Sequence, residues 1–573
     1  MPGIFTLFSK SHSLKTGAIV IGVFSILSKL LGLFRYSLIA SRFGTGVVAD
    51  SYMAAFRIPD FIYNAVVFGA LSVAFIPVFL DLYEKGKKRE DQPRDLSVEP
   101  TEEGIGSVNV DFQAQIASLF SIPFKAFKKR SITKESFFEL HFELINAMLT
   151  ILSLAVSTVA VIAWIFASSI VPRLVPGFSS ESVALTISMT RVMLLSPIIF
   201  CVSNIIGSVL QAFQRFTFFA LAPVCYNLGI IFGILVLYPL LGPIGLAWGV
   251  VFGSFLHLLV QLPPFAETGF RFRFTFGSRR AGVHRVLKAM IPRALALSAQ
   301  QVNQLTNTFL ASALPAGSVV VFYNAYDLET LPVSFIAVSL AVASFPILGG
   351  LFAQKKYDDF RRVFRSSLEH ILRIMVPLMI FLILLRAQAV RLTLGYGLYN
   401  WADTVRTLQI FAILSSSLIP QSVIPLFARA LYAREKTAAP VIASLIAIGT
   451  NIASAFLLTP FYGLAGLALA FSASSFLHAF ILAVLAEREI HGSLFCREFL
   501  ISVLRFSIAA IFSGIMLYTA LHIAAALIGT SHVWSLSLQT LIAFSIGSGS
   551  YVLLLWIFGD RVVNTIIKKR LGL

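Results

Sequence analysis

Apolar runs long enough to cross ~30 Å of hydrocarbon as helices follow one another along almost the whole chain. They lie at about 15–41, 50–83, 138–171, 182–213, 217–239, 243–264 and 285–314, and again at about 317–352, 367–394, 405–432, 437–459, 462–486, 497–527 and 534–558. The pattern predicts an all-α polytopic membrane protein with fourteen transmembrane helices. The second and eighth runs are too long to stay straight within a bilayer, and Pro59 and Pro332 are the expected kink points. The first run continues to Ala40, contains Lys29 and Arg35 and shows no small-residue cleavage site, so it reads as a retained span rather than a signal peptide.

A repeat lies within this pattern. Pro239-Leu-Leu-Gly242-Pro-Ile-Gly245-Leu246-Ala247 matches Pro460-Phe-Tyr-Gly463-Leu-Ala-Gly466-Leu467-Ala468, and both continue at the same spacing into Ser-Phe-Leu-His, at Ser254–His257 and Ser475–His478. Shared hydrophobicity does not explain identities at Gly, Pro and His. Spans 5–6 thus correspond to spans 11–12, which implies two pseudo-symmetric six-helix halves plus two extra C-terminal helices. The expected division is 1–268 with a loop at 84–134, then 269–490, then 491–573. The extra pair is expected to pack against the second half. An even number of spans per half makes the repeat parallel, a plan common among alternating-access transporters.

Composition narrows the class further. Of 573 residues, 57% are hydrophobic and only 13% charged, with a mean hydropathy of +0.85, which excludes a soluble enzyme or a disordered chain. The net charge of +18 could suggest nucleic acid, but its distribution argues otherwise. Lys and Arg crowd the loops after spans 2, 6, 8, 10 and 12 and both chain ends, as in Lys85–Arg89, Arg271–Arg285 and Lys568–Arg570. Positive-inside logic puts both termini and those loops in the cytoplasm. No nucleic-acid partner is expected. The three cysteines are far apart in or beside apolar segments and imply no disulfide framework.

Candidate chemistry is concentrated where charge interrupts the apolar runs. Lys29 and Arg35 lie in span 1. Span 2 carries Asp50, Arg57, Asp60 and Asn64 at steps that share one helical stripe, and span 7 carries Arg293, Gln300, Asn303, Gln304 and Asn307. Span 8 adds Tyr323, Asn324 and Asp327 on one side, with Glu329 roughly 160° away. Charge at this depth must face protein or water and be paired or neutralised. Helix–helix hydrogen bonding is one reading of the stripes; a cavity for an anionic cargo is the other, because three cations in the first half would be stabilised by phosphate. No Walker A sequence and no metal-ligand spacing is present, so neither an enzyme nor a cofactor is expected.

Several segments resemble the MurJ/MviN lipid II flippases: Lys29-Leu-Leu-Gly-Leu-Phe-Arg35, Arg42-Phe-Gly44-Thr-Gly46 with Asp50, Gln211–Phe216 with Ala222-Pro223 and Asn227, Tyr323–Pro332 and Leu431-Tyr-Ala-Arg434. The resemblance covers nearly the whole chain. It implies a member of the multidrug/oligosaccharidyl-lipid/polysaccharide exporter superfamily in a bacterial cytoplasmic (inner) membrane. Such a protein flips undecaprenyl-pyrophosphate-linked peptidoglycan precursor to the outer leaflet, with membrane lipids and a coupling monovalent cation as further partners. It carries the family's cavity cations onto Lys29, Arg35 and Arg57 and its acid onto Asp50. This chain departs from the family in having Tyr63 and Asn64 in mid-span 2, and Asp327 in span 8, where arginine is frequent. The alternative reading is a related polysaccharide-lipid flippase or a cation-coupled multidrug exporter.

Overall fold

The computed structural model describes residues 14–65, 71–90, 135–277, 282–490, 493–530, 532–560 and 562–565, and every regular element among them is helical. The long helices are α1 (Leu14–Phe43), α2 (Val47–Ala55), α3 (Arg57–Tyr63), α4 (Leu71–Glu90), α5 (Glu135–Leu174), α6 (Ser180–Met193), α7 (Leu195–Ala212), α8 (Phe216–Phe232), α9 (Ile244–Leu259) and α10 (Val283–Ser312). They continue with α11 (Ser318–Pro332), α12 (Val338–Ala353), α13 (Tyr357–Leu384), α14 (Arg386–Thr393), α15 (Trp401–Ser415), α16 (Leu418–Ala433), α17 (Ala438–Tyr462), α18 (Leu464–Glu489), α19 (Arg497–Ile528) and α20 (Val533–Ile557).

Among the described residues, eleven helices are long and apolar enough to cross a membrane, or twelve if the bent pair α15–α16 is one span. The sequence count of fourteen is not reproduced, and the two segments that drop out are the two with polar stripes. Helix α10 is 30 residues long but too polar to qualify. The 50–83 run is broken at Phe56, and residues 66–70 fall outside the described set, as does most of the 84–134 loop.

Proline explains the breaks. Pro59 has no N–H to give the Ala55 carbonyl, so α2 and α3 separate there; that carbonyl accepts instead from the Thr190 hydroxyl at 3.4 Å, a neighbouring helix repairing the loss. After Pro332 the chain winds into a π-helix, Val333–Ala337, whose closing bond runs from the Val338 N–H to the Val333 carbonyl. Glycine permits close approach between helices. A Cβ on Gly249 of α9 would sit 2.6 Å from the Gly233 Cα, so the helices touch backbone to backbone. Gly249→Val is expected to lower the thermal midpoint of the purified protein, at about 1–3 kcal/mol of overpacking.

The chain divides into two compact units, Met1–Ile39 with Val47–Ala313, and Ala40–Gly46 with Leu314–Leu573. The core of the first is built on Phe75, Phe79, Leu144, Ile145, Met148 and Cys201. Helix α10, which the repeat assigns to the second half, adds Val286 and Met290 to that core. Compact unit and sequence repeat therefore have different boundaries. In the second unit Phe360, Phe364, Ile371 and Met375 of α13 share a core with Phe506 of α19 and Tyr551 and Leu555 of α20. The extra pair thus packs on the second unit, as its sequence position suggests.

Candidate functional site

Four elements of the first unit bring polar groups together. Helix α1 carries Lys29 and Arg35, both half-buried, and the Arg35 guanidinium lies 4.7 Å from the ring centre of Tyr36. The charges of Arg35 and Asp60 both act on the phenols of Tyr52 and Tyr226, so α1, α2, α3 and α8 contribute to one electrostatic neighbourhood. Helix α8 is held beside α1 because Asn227 Nδ2 donates to the Ser28 carbonyl at 3.1 Å and to its hydroxyl at 3.2 Å. Lys29 is the next residue.

Arg57 is at the first turn of α3 and 9% exposed. Its Nε donates to the Met53 carbonyl at 3.1 Å and its Nη1 to Gln304 Oε1 of α10 at 2.8 Å. These two bonds orient the guanidinium. The break at Phe56 means that Asp50, Arg57, Asp60 and Asn64 do not lie along one continuous helix, as their spacing suggests. Asp50 is buried on α2. Asn64 turns back on its own chain, Nδ2 donating to the Asp60 carbonyl at 2.9 Å, while the Tyr63 hydroxyl accepts from Asn204 of α7 at 3.2 Å. Arg293 is eleven residues before Gln304, about 16 Å away along α10, and so stands at a different level of the helix. Asp327 is half-buried on α11 of the second unit.

Sequence reasoning underrated Gln304, taken as one of several bridging amides, and passed over Tyr52, Tyr226 and Asn204. A lone polar residue within an apolar run was the available signal for Asn204.

The segment Arg42-Phe-Gly44-Thr-Gly46 has a separate role within the second unit. Thr45 Oγ1 donates to Asp403 Oδ1 at 2.6 Å. Asp403 also completes a capping box with Asn400 at the start of α15. The Leu398 N–H donates to the Ser41 carbonyl at 2.8 Å. Gly44 has φ +55°, and a Cβ there would meet the Leu398 carbonyl at 2.8 Å, so only glycine fits. Burial pushes the neighbouring Tyr399 phenol up to about 12, against the lowering effect of its bonds to Thr407 and Asn324. Thr45→Val is expected to destabilise by about 1.5–3 kcal/mol, the worth of a hydrogen bond to a charged group, read as a lower thermal midpoint in detergent.

The family model for the lipid II flippase MurJ matches residues 39–94 and 124–541. The chain belongs to this family. The gap between the matched ranges falls inside the 84–134 loop. Among curated relatives, a probable lipid II flippase MurJ of Buchnera aphidicola is 26% identical over 562 residues, covering 96% of this chain and 98% of its own length. The lipid II flippase MurJ of Burkholderia cenocepacia is 26% identical over 470 residues, covering 80% and 81%. A solved structure of a lipid II flippase MurJ in an inward closed conformation superposes with a TM-score of 0.73 at 21% identity, covering 95% of this chain and all of that one. An inward-facing multidrug transporter of the MATE family superposes with a TM-score of 0.59 at 14% identity, covering 81% and 94%. At these identities the structures establish a shared fold.

Proposed function

We propose that the protein is a flippase that moves undecaprenyl-pyrophosphate-linked peptidoglycan precursor, lipid II, from the inner to the outer leaflet of a bacterial cytoplasmic membrane by alternating access. The observation that carries this reading, beside family membership, is Arg57. Its buried guanidinium, oriented by the Met53 carbonyl and Gln304, is the side-chain type suited to a planar, bidentate contact with pyrophosphate. Arg35 and Lys29 add positive charge from α1. The polyprenyl tail remains in the bilayer, so the protein has only the headgroup to carry, and no bond of the cargo is made or broken.

The two segments that do not qualify as ordinary spans, the broken 50–83 run and the polar α10, are in this reading the remaining two of fourteen. They are the spans that face the headgroup, with Asp50, Asp60, Asn64 and Arg293 on them and Asp327 on α11. Both termini and the basic loops are cytoplasmic, the halves 1–268 and 269–490 are repeats, and 491–573 is the added pair. A monovalent cation couples the cycle. A multidrug exporter for cationic drugs is disfavoured by the cations of the first unit, which would repel such cargo.

The test is complementation of a bacterium depleted of its own lipid II flippase, read together with the accessibility of lipid II at the outer leaflet. Restored growth with restored accessibility is expected. A well-expressed protein that restores neither overturns the choice of cargo.

A further inference from the structure

Among the described residues of the membrane-spanning helices, Glu329 is the most completely buried acid, at 0% exposure on α11. Its Oε1 accepts from Gln421 Nε2 at 2.9 Å, and its Oε2, equally buried, has no hydrogen-bond partner. The same Gln421 amide donates to Ser417 Oγ at 2.8 Å, and Ser417 Oγ donates to the Leu414 carbonyl at 2.6 Å. This short chain joins two interruptions. Glu329 lies three residues before Pro332 and the π-helix, and Ser417 lies in the break where α15 and α16 bend by 43°. Pro332 and Pro420 leave the carbonyls four residues earlier without their helical donors, and π-segments of this kind are frequent where helices move for function.

Among the described residues, no charged group of the packed elements is bonded to the Glu329 carboxyl. On its own helix Asp327 lies around the opposite side, and Tyr323 and Tyr326 make no bond to it. On α15, Asp403 is engaged with Thr45, and Arg406 with the Ala316 carbonyl and Ser318. On α16, Arg429 donates to the Pro425 carbonyl. On α18, His478 is at 3.3 Å from Ser444. A bare carboxylate in such a place is strongly disfavoured, whereas a carboxylic acid is not.

We infer that Glu329 is the proton-binding site of the transport cycle, protonated at Oε2 in the conformation described and deprotonated when movement at the two breaks admits water to it. The ligand is a proton, taken from water and returned to water, so the carboxyl alternates between acid and carboxylate with no other bond changed. Gln421, itself only half-buried, holds Oε1 in both states and couples the site to the α15–α16 bend. The inference rests on the transport reading and identifies its coupling cation.

Two measurements test it separately from the cargo. In purified wild-type protein, infrared difference spectra across a pH titration should show a protonated-carboxyl band that Glu329→Gln removes and Gln421→Met shifts. A spectrum unchanged by both variants overturns the site. In vesicles carrying lipid II, a pH difference of about one unit should shift its distribution between leaflets up to about tenfold for one proton per cycle. Glu329→Gln, which mimics the protonated side chain in size, should make the distribution independent of the gradient. Wild-type flipping indifferent to the gradient, or a Glu329→Gln variant that still follows it, overturns the inference and leaves the cargo intact. No flipping by wild type overturns the cargo, and the infrared band then decides the site alone.

Discussion

Arg57→Ala is expected to abolish complementation of a flippase-depleted bacterium while the variant inserts and accumulates normally. The guanidinium is oriented by the Met53 carbonyl and Gln304, and alanine removes the bidentate fork. A hydrogen bond to a charged group is worth about 1.5–3 kcal/mol, so each guanidinium–pyrophosphate bond that alanine cannot make weakens binding roughly 10–100-fold. Arg57→Lys should fail as well, because a point charge on a flexible stem cannot reproduce the fork. Gln304→Ala should give a milder defect, since it frees the guanidinium without deleting it. The discriminating measurement is outer-leaflet lipid II at matched protein levels, with the thermal midpoint recorded beside it. Full complementation by Arg57→Ala would remove the residue from the cargo site, and a large drop in midpoint would reassign it to the fold. Arg35→Ala, measured the same way, should also express and fail.

The largest loss of stability is expected from Asp560→Ala. Asp560 Oδ2 accepts from Arg373 Nη2 at 3.0 Å, with side chains only 8% and 11% exposed. Its Oδ1 accepts from the N–H groups of Val562 and Val563 at 3.1 Å each. The Arg373 guanidinium lies 4.9 Å from the Phe506 ring centre, and the Arg373 carbonyl accepts from the Tyr551 hydroxyl at 2.8 Å. Removing the acid leaves a buried cation, a change that costs about 3–5 kcal/mol, and it exposes the core that α13 shares with α19 and α20. Thermal unfolding in detergent should show an early transition. Arg373→Met combined with Asp560→Asn should recover most of it, because the charge is gone and the amide oxygen still accepts from the Val562 and Val563 N–H groups. A double variant no better than Asp560→Ala would show that the ion pair itself, and not the cap or a stranded cation, holds the pair of helices.

The sequence was most informative where one physical constraint dominates. In hydrocarbon every backbone group must be satisfied within its own segment, so long apolar runs with basic loops identify a helical membrane protein and its approximate spans without further help. The same constraint explains why Pro59 and Pro332 could be named as break points. Polar residues inside those runs were equally visible, and Lys29, Arg35 and Arg57 stood out as charges that lipid cannot hold. Helical spacing also separated Asp327 from Glu329, placing them on opposite sides of α11.

Tertiary structure alone decided what each of those polar groups does. Periodicity says which residues share a face; it does not say which face meets protein. Glu329, not Asp327, is the acid sealed from all solvent, because the π-segment after it packs on α16, and α15 packs along α11. Gln304 became the partner of Arg57 because the break at Phe56 re-aims α3 by an amount no stripe on a straight helix contains. The Gly44-Thr45 turn, legible only as a motif, acquired its role from Asp403, 358 residues away in the chain. Each of these depends on neighbours distant in sequence, and their geometry is set by the close packing of whole helices, which local residue patterns do not encode.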